Sequence, residues 1–364
     1  MRAAVLMKTG EPLEFLEVDL DEPQGAEVVV EVRASGICHS DIAACTVVEH
    51  PDPLIPGHEV AGVVTAIGPD VRSVKVGDHV VACEIRSCGH CDDCIRGRSY
   101  MCTRVEETER PESAAPRASM SGRTVTAFSH IGGFAPAIML HENNLVVIAD
   151  DIPFDIAAVM GCGVVTGAGA AINAAEVRVG DTVAVIGCGG VGLSVIAGAA
   201  IAGARRVIAI DVVPEKLELA RAFGATDVID ARAVDPVEAV RALTDGVGVL
   251  HAFECVGGKA TAFQALELTR AVGHTHLIGI QPPDRVFELR PFSDLLMPKK
   301  NIRTVYMGSS TFRYDIPLYL DFWRQGRFPL DLLVGRRISL SEVNDAFAAV
   351  GNDGVARTVI TSFD

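Results

Sequence analysis

Four cysteines lie close together in a spacing that suits a metal ion. They follow the pattern C-x2-C-x2-C-x7-C within fifteen residues, at Cys88, Cys91, Cys94 and Cys102. Four thiolates complete the tetrahedral shell of a structural zinc. A ferredoxin cluster motif starts in the same way, but its fourth cysteine comes after three residues and precedes proline, whereas Thr103 follows here. Disulfides are the remaining alternative, and a reducing compartment disfavours them. The spacing predicts a structural zinc lobe at about residues 84–104.

A second set of metal-binding side chains is spread along the chain. Cys38 and His58 lie twenty residues apart, and Cys162 stands between two glycines much later. Each residue alone is also typical of a buried thiol or a turn, so spacing does not specify a site. Together the three residues would leave one coordination position open, as in a catalytic zinc site. A nearby carboxylate such as Asp41 can orient a ligating histidine.

A glycine-rich turn predicts a nucleotide site. The apolar segment 183–186 leads into G-x-G-x-x-G at Gly187, Gly189 and Gly192, and a small-residue helical segment follows. A second apolar segment then ends in Asp211, nineteen residues after Gly192. This order is the dinucleotide fingerprint, in which the helix N-terminus faces the pyrophosphate and the acid accepts the ribose hydroxyls.

The elements around this turn predict a doubly wound parallel sheet. Apolar strand patterns at 227–229, 250–254, 276–280 and 302–306 join the two strands that flank the turn, which makes six strands. Ligands bind at the carboxyl ends of such strands, so Ile278 and Ile280 are expected near the nicotinamide. Helical patterns at 316–325 and 341–350 and a last strand at 357–360 follow.

Charge and hydropathy exclude several functions. The formal net charge of −15 disfavours nucleic acid and anionic membrane surfaces as partners. Two uncharged runs, 156–175 and 182–204, are long enough to imitate membrane spans, but glycines interrupt both, so they are expected to be buried core. The first eight residues hold no apolar stretch that would serve as a signal peptide. With the C-x-x-C spacing, this favours a cytoplasmic protein.

These motifs together resemble the zinc-dependent alcohol dehydrogenases of the medium-chain dehydrogenase/reductase superfamily. The resemblance covers essentially the whole chain, through residues 36–41, 57–62, the four-cysteine lobe, 161–167, 187–192 and Asp211. It implies a mostly β, GroES-like catalytic domain of residues 1–163 and 305–364, to which the C-terminal tail returns. Residues 164–304 would form the α/β Rossmann domain that binds NAD.

The resemblance also assigns a role to each site residue. Cys38, His58 and Cys162 would bind the catalytic zinc, Asp41 would lie behind His58, and Glu59 near the metal. Ser40 would pass on the alcohol proton. The cofactor would meet His39 and Arg357 at its pyrophosphate, Thr166 beside the nicotinamide, Lys216 near the adenosine ribose, and the turn residues Gly187, Gly189, Gly190, Val191 and Gly192.

The implied activity is hydride transfer between NAD and a primary or secondary alcohol or its aldehyde or ketone, with two zinc ions per chain. Two alternatives stay open. One is a formaldehyde dehydrogenase that acts on a thiol adduct, and the other is a non-catalytic nucleotide-binding protein, against which the intact ligand set argues. A homodimer is expected, with a homotetramer as the second choice.

Two positions depart from the pattern of better-known members. Ala43 stands where many members have a histidine that carries the proton from the relay hydroxyl to solvent, so the proton is expected to leave through the cofactor ribose and water or through His50. Glu84 stands where members often present an apolar side chain to the substrate. If Glu84 faces the pocket, the substrate should carry a polar or cationic group; the alternative is a surface carboxylate at a strand end.

Overall fold

The computed structural model describes residues 1–50, 53–111, 113–282, 284–350 and 354–364. Its strands are β1 (Arg2–Val5), β2 (Glu14–Glu17), β3 (Asp19–Leu20), β4 (Glu27–Ile37), β5 (Leu54–Ile55), β6 (Glu59–Ile67), β7 (His79–Ala82), β8 (Ala118–Met120), β9 (Arg123–Thr124), β10 (Thr126–Ala127), β11 (Ala137–His141), β12 (Leu145–Val147), β13 (Thr182–Ile186), β14 (Arg206–Asp211), β15 (Asp227–Asp230), β16 (Val249–Glu254), β17 (Thr269–Leu277), β18 (Asn301–Thr304), β19 (Val334–Ser339) and β20 (Arg357–Ser362). Its α-helices are α1 (His39–Thr46), α2 (Asp92–Ile95), α3 (Phe154–Ala158), α4 (Gly163–Gly169), α5 (Gly190–Ile201), α6 (Pro214–Ala222), α7 (Pro236–Leu243), α8 (Lys259–Leu268), α9 (Phe312–Arg324) and α10 (Val343–Ala349).

The first compact unit is mostly β and comprises Met1–Gly163, Thr311–Leu318 and Leu333–Asp364. Its main sheet has the order β12-β7-β6-β4-β20-β19, and β11 also pairs with the long β4. Along β4 the buried residues Val28, Val30 and Val32 alternate with more exposed ones, which is the period of a strand with one face in the core. The predicted β-rich catalytic domain is confirmed.

The second compact unit contains Val164–Ser310 and Tyr319–Leu332. Its six strands are all parallel, in the order β15-β14-β13-β16-β17-β18. The central strand β13 is buried along its whole length, as expected for a parallel sheet with helices on both faces. This is the predicted doubly wound sheet, with the order reversing between β13 and β16, and the fold class is therefore confirmed.

Two details of the predicted elements need correction. Residues 305–310 and 319–332 belong to the nucleotide unit and not to the C-terminal part of the catalytic unit. Aromatic packing contributes to the position of residues 319–332, since the ring of Phe328 lies 6.4 Å from those of Tyr319 and Phe223. In addition, β17 ends at Leu277, so Ile278 and Ile280 lie in the loop after the strand.

No single helix among the described residues is long and apolar enough to cross a membrane. The consecutive helical segments Phe154–Gly161 and Gly163–Ala174 meet the length and composition criteria only as a bent pair. Apolar residues along both segments, such as Ile156, Met160, Val164 and Ala168, are fully buried or nearly so, as predicted for this uncharged run.

Three histidines form a cluster on one face of the parallel sheet. His251 of β16 and His276 of β17 are buried, and their Nδ1 and Nε2 atoms lie 3.2 Å apart. The ring of His274 stacks on His251 with a centroid distance of 5.4 Å. Burial lowers the pKa of His251 to about 4 and that of His276 to about 3. Neighbouring His274 and Arg303 lower both further, while Asp181 opposes the shift at His251.

This cluster predicts loss of stability in mild acid. Both pKa values lie below the unfolded value of about 6.5, so the unfolded chain binds more protons between that pH and the folded values. The contribution is complete above pH 6.5 and is lost as the pH falls through about 4 for His251 and about 3 for His276. We expect denaturant unfolding at pH 4 to show a free energy of unfolding at least about 3 kcal/mol below that at pH 7, since each pKa unit is worth about 1.4 kcal/mol.

A variant separates this effect from the titration of carboxylates. His276→Phe keeps a ring against Phe253, on which His276 stacks at 4.6 Å, but cannot be protonated. It should lose measurably less stability between pH 7 and pH 4 than the natural chain. An equal fall in the free energy of unfolding between these two pH values for both proteins would contradict the account.

Candidate zinc centres and cofactor site

The three predicted ligands of the open zinc site come together in the catalytic unit. Strand pairing places Gly36, near the end of β4, opposite Glu59 at the start of β6. The residues next to this pairing, Cys38 and His58, therefore meet at the same end of the sheet. Cys162 reaches them from the turn that follows Val159–Gly161. One ligand atom from each lies within 4.8 Å of the others, and all three residues are buried.

The imidazole of His58 is oriented for metal binding. Its Nδ1 lies 2.8 Å from Asp41 Oδ1, and the Asp41 carboxylate also accepts hydrogen bonds from the backbone N–H groups of Cys38 and Gly57. His58 Nε2 is buried without a hydrogen-bond partner in the described structure. Buried polar atoms are nearly always paired, and a histidine ligand usually donates its other ring N–H to a carboxylate. The orphan nitrogen beside two thiols therefore fits zinc.

Buried charges surround these ligands. The Cys162 thiol and the charge of Arg357 hold the pKa of Cys38 well below its ordinary value, against the effect of burial. An Arg357 amino group donates to Glu59 Oε1 at 3.1 Å and lies 3.9 Å from Cys38 Sγ. Burial raises the pKa of Glu59 to about 7, although Arg357 opposes that rise. At Cys38 this environment favours the thiolate that metal binding requires, whereas the Cys38 thiol and burial raise the pKa of Cys162 well above its ordinary value.

The other predicted residues of the catalytic unit take distinct positions. Ser40 lies in the first turn of α1 with its hydroxyl 3.6 Å from Cys38 Sγ, which places a proton carrier beside the ligand set. His50 Nε2 lies 3.0 Å from the Ala44 carbonyl oxygen. His39 is exposed at the start of α1, whereas Arg357 is buried against Glu59. Their contacts with a cofactor stay predictions.

The four cysteines of the lobe form a second, closed set. The Sγ atoms of Cys88 and Cys94 are 4.0 Å apart, and those of Cys91 and Cys102 are 3.9 Å apart. Thiolates about 2.3 Å from a tetrahedral zinc lie about 3.8 Å from one another, so the observed spacing fits this ion. Backbone N–H groups of Cys88, Cys91 and Arg104 donate to lobe sulfurs. All ten cysteines are free thiols.

The glycine turn has the geometry that its sequence predicts. Gly187 has a φ of +91°, a region that L side chains rarely adopt. Gly189 caps α5, and a side chain there would point into open space, which leaves room for a phosphate. A Cβ at Gly192 would lie 1.8 Å from the Gly187 carbonyl oxygen, so only glycine allows helix and strand to approach this closely. Gly190 and Val191 form the first turn of α5, whose free N–H groups suit an anion.

Asp211 lies at the edge of this turn. Its carboxylate accepts a hydrogen bond from the Cys188 N–H at 2.6 Å and others from Val212 and Val213. Lys216 is buried in α6, and Thr166 is buried in α4 with its hydroxyl 3.5 Å from Met307 Sδ. Ile278 is half-buried and Ile280 is exposed.

Sequence reasoning missed a carboxylate that organises the sheet edge. Glu254, fully buried at the end of β16, accepts hydrogen bonds from the N–H groups of Val256 and Gly257 and from the Thr261 hydroxyl. Its backbone carbonyl accepts from the N–H groups of Ile278 and Gly279. One residue thus fixes the loops after β16 and β17. The sequence signal that could have identified it is an acidic residue at the end of a predicted strand, followed closely by Gly257 and Gly258.

Known proteins resemble this chain along its whole length. Residues 24–150 match the family described as alcohol dehydrogenase GroES-like domain, and residues 190–323 match zinc-binding dehydrogenase. An S-(hydroxymethyl)glutathione dehydrogenase of Escherichia coli is 36% identical, with 99% of each chain covered. The crystal structure of benzyl alcohol dehydrogenase from Acinetobacter calcoaceticus is 33% identical, with a TM-score of 0.92 and coverage of 100% of this chain and 99% of that one. A zinc-binding dehydrogenase from Sinorhizobium meliloti, bound to NADP, is 26% identical, with a TM-score of 0.82 and coverage of 99% and 98%.

The fold, the ligand geometry and these similarities define a zinc-dependent oxidoreductase. The chain belongs to the zinc-dependent alcohol dehydrogenases of the medium-chain dehydrogenase/reductase superfamily.

Proposed function

We propose that this enzyme oxidises small alcohols, or reduces the matching aldehydes and ketones, with NAD and two zinc ions per chain. The observation that carries the proposal is the buried, unpartnered His58 Nε2 in one group with the Cys38 and Cys162 thiols. Three protein ligands and an open position are typical of catalytic zinc. Bound there, zinc supplies Lewis acidity for the substrate oxygen, and NAD supplies the hydride acceptor.

The residues of the chain handle the proton and the surrounding charge. The Ser40 hydroxyl accepts the proton of the alcohol, because it lies beside a metal ligand, 3.6 Å from Cys38 Sγ. Asp41 holds His58 in the tautomer that leaves Nε2 free. Arg357 adds a positive charge beside the thiols and pairs with Glu59. Onward transfer runs through the cofactor ribose and water or through His50.

The position of Asp211 supports NAD over NADP. Its carboxylate is bonded to the glycine turn, and the next residues are Val212 and Val213, with no arginine to receive a 2′-phosphate. Two unit charges about 4 Å apart repel by about 4 kcal/mol at an effective dielectric of 20. Screening reduces this repulsion, so we expect kcat/KM to favour NAD by at least about tenfold.

Steady-state kinetics with both cofactors test this preference. Asp211→Gly should reduce the ratio of kcat/KM with NAD to kcat/KM with NADP. Asp245→Gly, at a position in the same unit with a φ of +53°, should leave this ratio unchanged. Equal efficiencies of NAD and NADP in the natural chain would refute the assignment.

The relatives named S-(hydroxymethyl)glutathione dehydrogenase favour one second candidate, oxidation of a thiol adduct of formaldehyde. A screen of alcohols, and of formaldehyde with and without glutathione, separates the two through NADH absorbance. Turnover of simple alcohols without thiol supports the main proposal. Turnover only when thiol and formaldehyde are both present would replace it, and no NADH change with any substrate would refute both.

We infer further that the chain forms a homodimer, with a homotetramer as the alternative. The described part of the sheet ends at β18, which pairs only with β17 and leaves an open strand edge. Phe292, Leu296 and Met297, just before it, are each about two-thirds exposed. An open edge beside exposed apolar side chains is typical of an interface. Light scattering should give twice the mass of one chain; a monomer would contradict this.

A cytoplasmic location is also proposed, because the thiolate lobe and the other free cysteines need a reducing compartment. Cell fractionation tests it, and recovery of the protein outside the cytoplasm would refute it.

A further inference from the structure

The side chain of Glu84 lies beside the open zinc site. It comes two residues after the end of β7, between the buried Cys83 and Ile85, and is itself only half-buried. Its Oε1 is 4.0 Å from Cys162 Sγ, and its Oε2 accepts a hydrogen bond from the Ser129 hydroxyl at 2.8 Å. No lysine, arginine or histidine of the described residues forms an ion pair with it. The Glu84 carboxylate, which has no cationic partner among the described residues, therefore lies next to Cys162, a ligand of the open zinc site.

The residues that hold this carboxylate also contact a second ligand. The Phe128 ring meets the His58 ring edge to face, with centroids 5.4 Å apart. The next two residues, Ser129 and His130, have φ values of +51° and +60°. Non-glycine residues in this region are strained and are concentrated at functional sites. This strained turn places Ser129 on Glu84 and Phe128 on His58. We call Glu84, Ser129 and Phe128 the acidic wall.

We propose that the acidic wall selects alcohols that carry an ammonium or hydroxyl group close to the reacting carbon, with Glu84 as the residue that recognises that group. The inference rests on the proposed function. A zinc–thiolate bond is about 2.3 Å long. With the 4.0 Å between Cys162 Sγ and Glu84 Oε1, a metal bound to Cys162 would lie no more than about 6.3 Å from the carboxylate oxygen. The nitrogen of an amino alcohol or the second oxygen of a vicinal diol, three bonds from the reacting oxygen, spans this distance.

The chemistry of the wall explains why a donor is preferred to a methyl group. Hydrogen bonds to a carboxylate are roughly twice as strong as those between neutral groups. An apolar substrate would instead strip water from the Glu84 carboxylate without replacing its hydrogen bonds, which is unfavourable. Amino alcohols and vicinal diols are therefore the substrate classes that fit.

Three alcohols of equal chain length test the proposal: 2-aminoethanol, ethane-1,2-diol and propan-1-ol end in an ammonium, a hydroxyl and a methyl group. Their binding to the zinc-loaded natural enzyme, Glu84→Gln and Glu84→Leu is measured by calorimetry, and their kcat/KM by NADH absorbance. We expect the natural enzyme to prefer a polar alcohol to propan-1-ol. We call the affinity or kcat/KM for 2-aminoethanol divided by that for propan-1-ol the ammonium-to-methyl ratio, and define the hydroxyl-to-methyl ratio in the same way with ethane-1,2-diol. A fall of the ammonium-to-methyl ratio by tenfold or more in both variants identifies the ammonium as the recognised group. A tenfold loss of the hydroxyl-to-methyl ratio in Glu84→Leu, with little change in Glu84→Gln, identifies the hydroxyl.

Controls separate this proposal from the proposed function. Glu11 is an exposed carboxylate far from Glu84 along the chain, so Glu11→Gln should change neither ratio. Ser129→Ala should change both ratios in the same direction as the Glu84 variants, but by a smaller factor. Zinc content and propan-1-ol turnover report whether the site stays intact. Ratios that stay within twofold of the natural values in both Glu84 variants overturn the proposal. If no alcohol is turned over, the proposed function fails, while the binding ratios still decide the role of Glu84.

Discussion

Replacing Cys162 by alanine is expected to remove one of two zinc ions from each chain and to lower kcat/KM for alcohols by about a thousandfold or more. Cys162 is buried and supplies one of the three ligand atoms within 4.8 Å of one another. Without it, Cys38 and His58 offer two ligands, fewer than the three of known catalytic zinc sites. A catalytic metal lowers the activation free energy by several kcal/mol, and losing that stabilisation corresponds to a fall of about a thousandfold in kcat/KM. Metal analysis and steady-state kinetics measure the two effects.

The matched control for this variant is Cys45→Ala. Cys45 is also buried, at 3% exposure, but lies in the apolar core of the catalytic unit. This variant should keep both zinc ions and most of its activity. Cys91→Ala should instead lower the thermal stability by damaging the lobe. A Cys162→Ala protein that still holds two zinc ions would defeat the assignment of the open site.

The second large effect is expected at Ser40. Ser40→Ala should lower kcat/KM at least about a hundredfold with unchanged zinc content, which is within the usual range for a positioned acid–base group. The hydroxyl lies 3.6 Å from Cys38 Sγ, and Ala43, one turn of α1 later, offers no replacement for it. Kinetics and metal analysis on the same samples measure the result.

Ser40→Thr is the control, because it keeps a hydroxyl at the same position. It should retain activity within about tenfold of the natural enzyme, as expected if the hydroxyl itself carries the proton. Near-normal turnover by Ser40→Ala with full zinc would show that the proton leaves through water alone.

Local spacing was enough to predict much of this molecule. The fifteen-residue cysteine run and the turn at Gly187 are short segments in which sequence distance limits spatial distance. The parallel, doubly wound sheet followed from alternating strand and helix patterns, since parallel strands need crossover helices, whereas the order of its strands came from the structure. The ligand set Cys38, His58 and Cys162 could be suggested from side-chain chemistry but assigned only through family resemblance, because its members lie up to 124 residues apart.

Side-chain contacts between distant segments could not be predicted. That Ser129 holds Glu84, and that Arg357 pairs with Glu59, depends on strained turns and on strand pairing that no local pattern encodes. The stacking of His251, His274 and His276 depends on the register of β16 against β17. The transfer of residues 319–332 to the nucleotide unit likewise depends on where Phe328 packs.

The central claim is that Cys38, His58 and Cys162 form a zinc site separate from the four-cysteine lobe. Anomalous diffraction from crystals of the full chain, recorded on both sides of the zinc absorption edge, tests it most directly. The account predicts two zinc peaks per chain, one bonded to His58 Nε2 and the Cys38 and Cys162 sulfurs and one among Cys88, Cys91, Cys94 and Cys102. A peak in the lobe alone, from protein that is active and was purified without chelators, would contradict it.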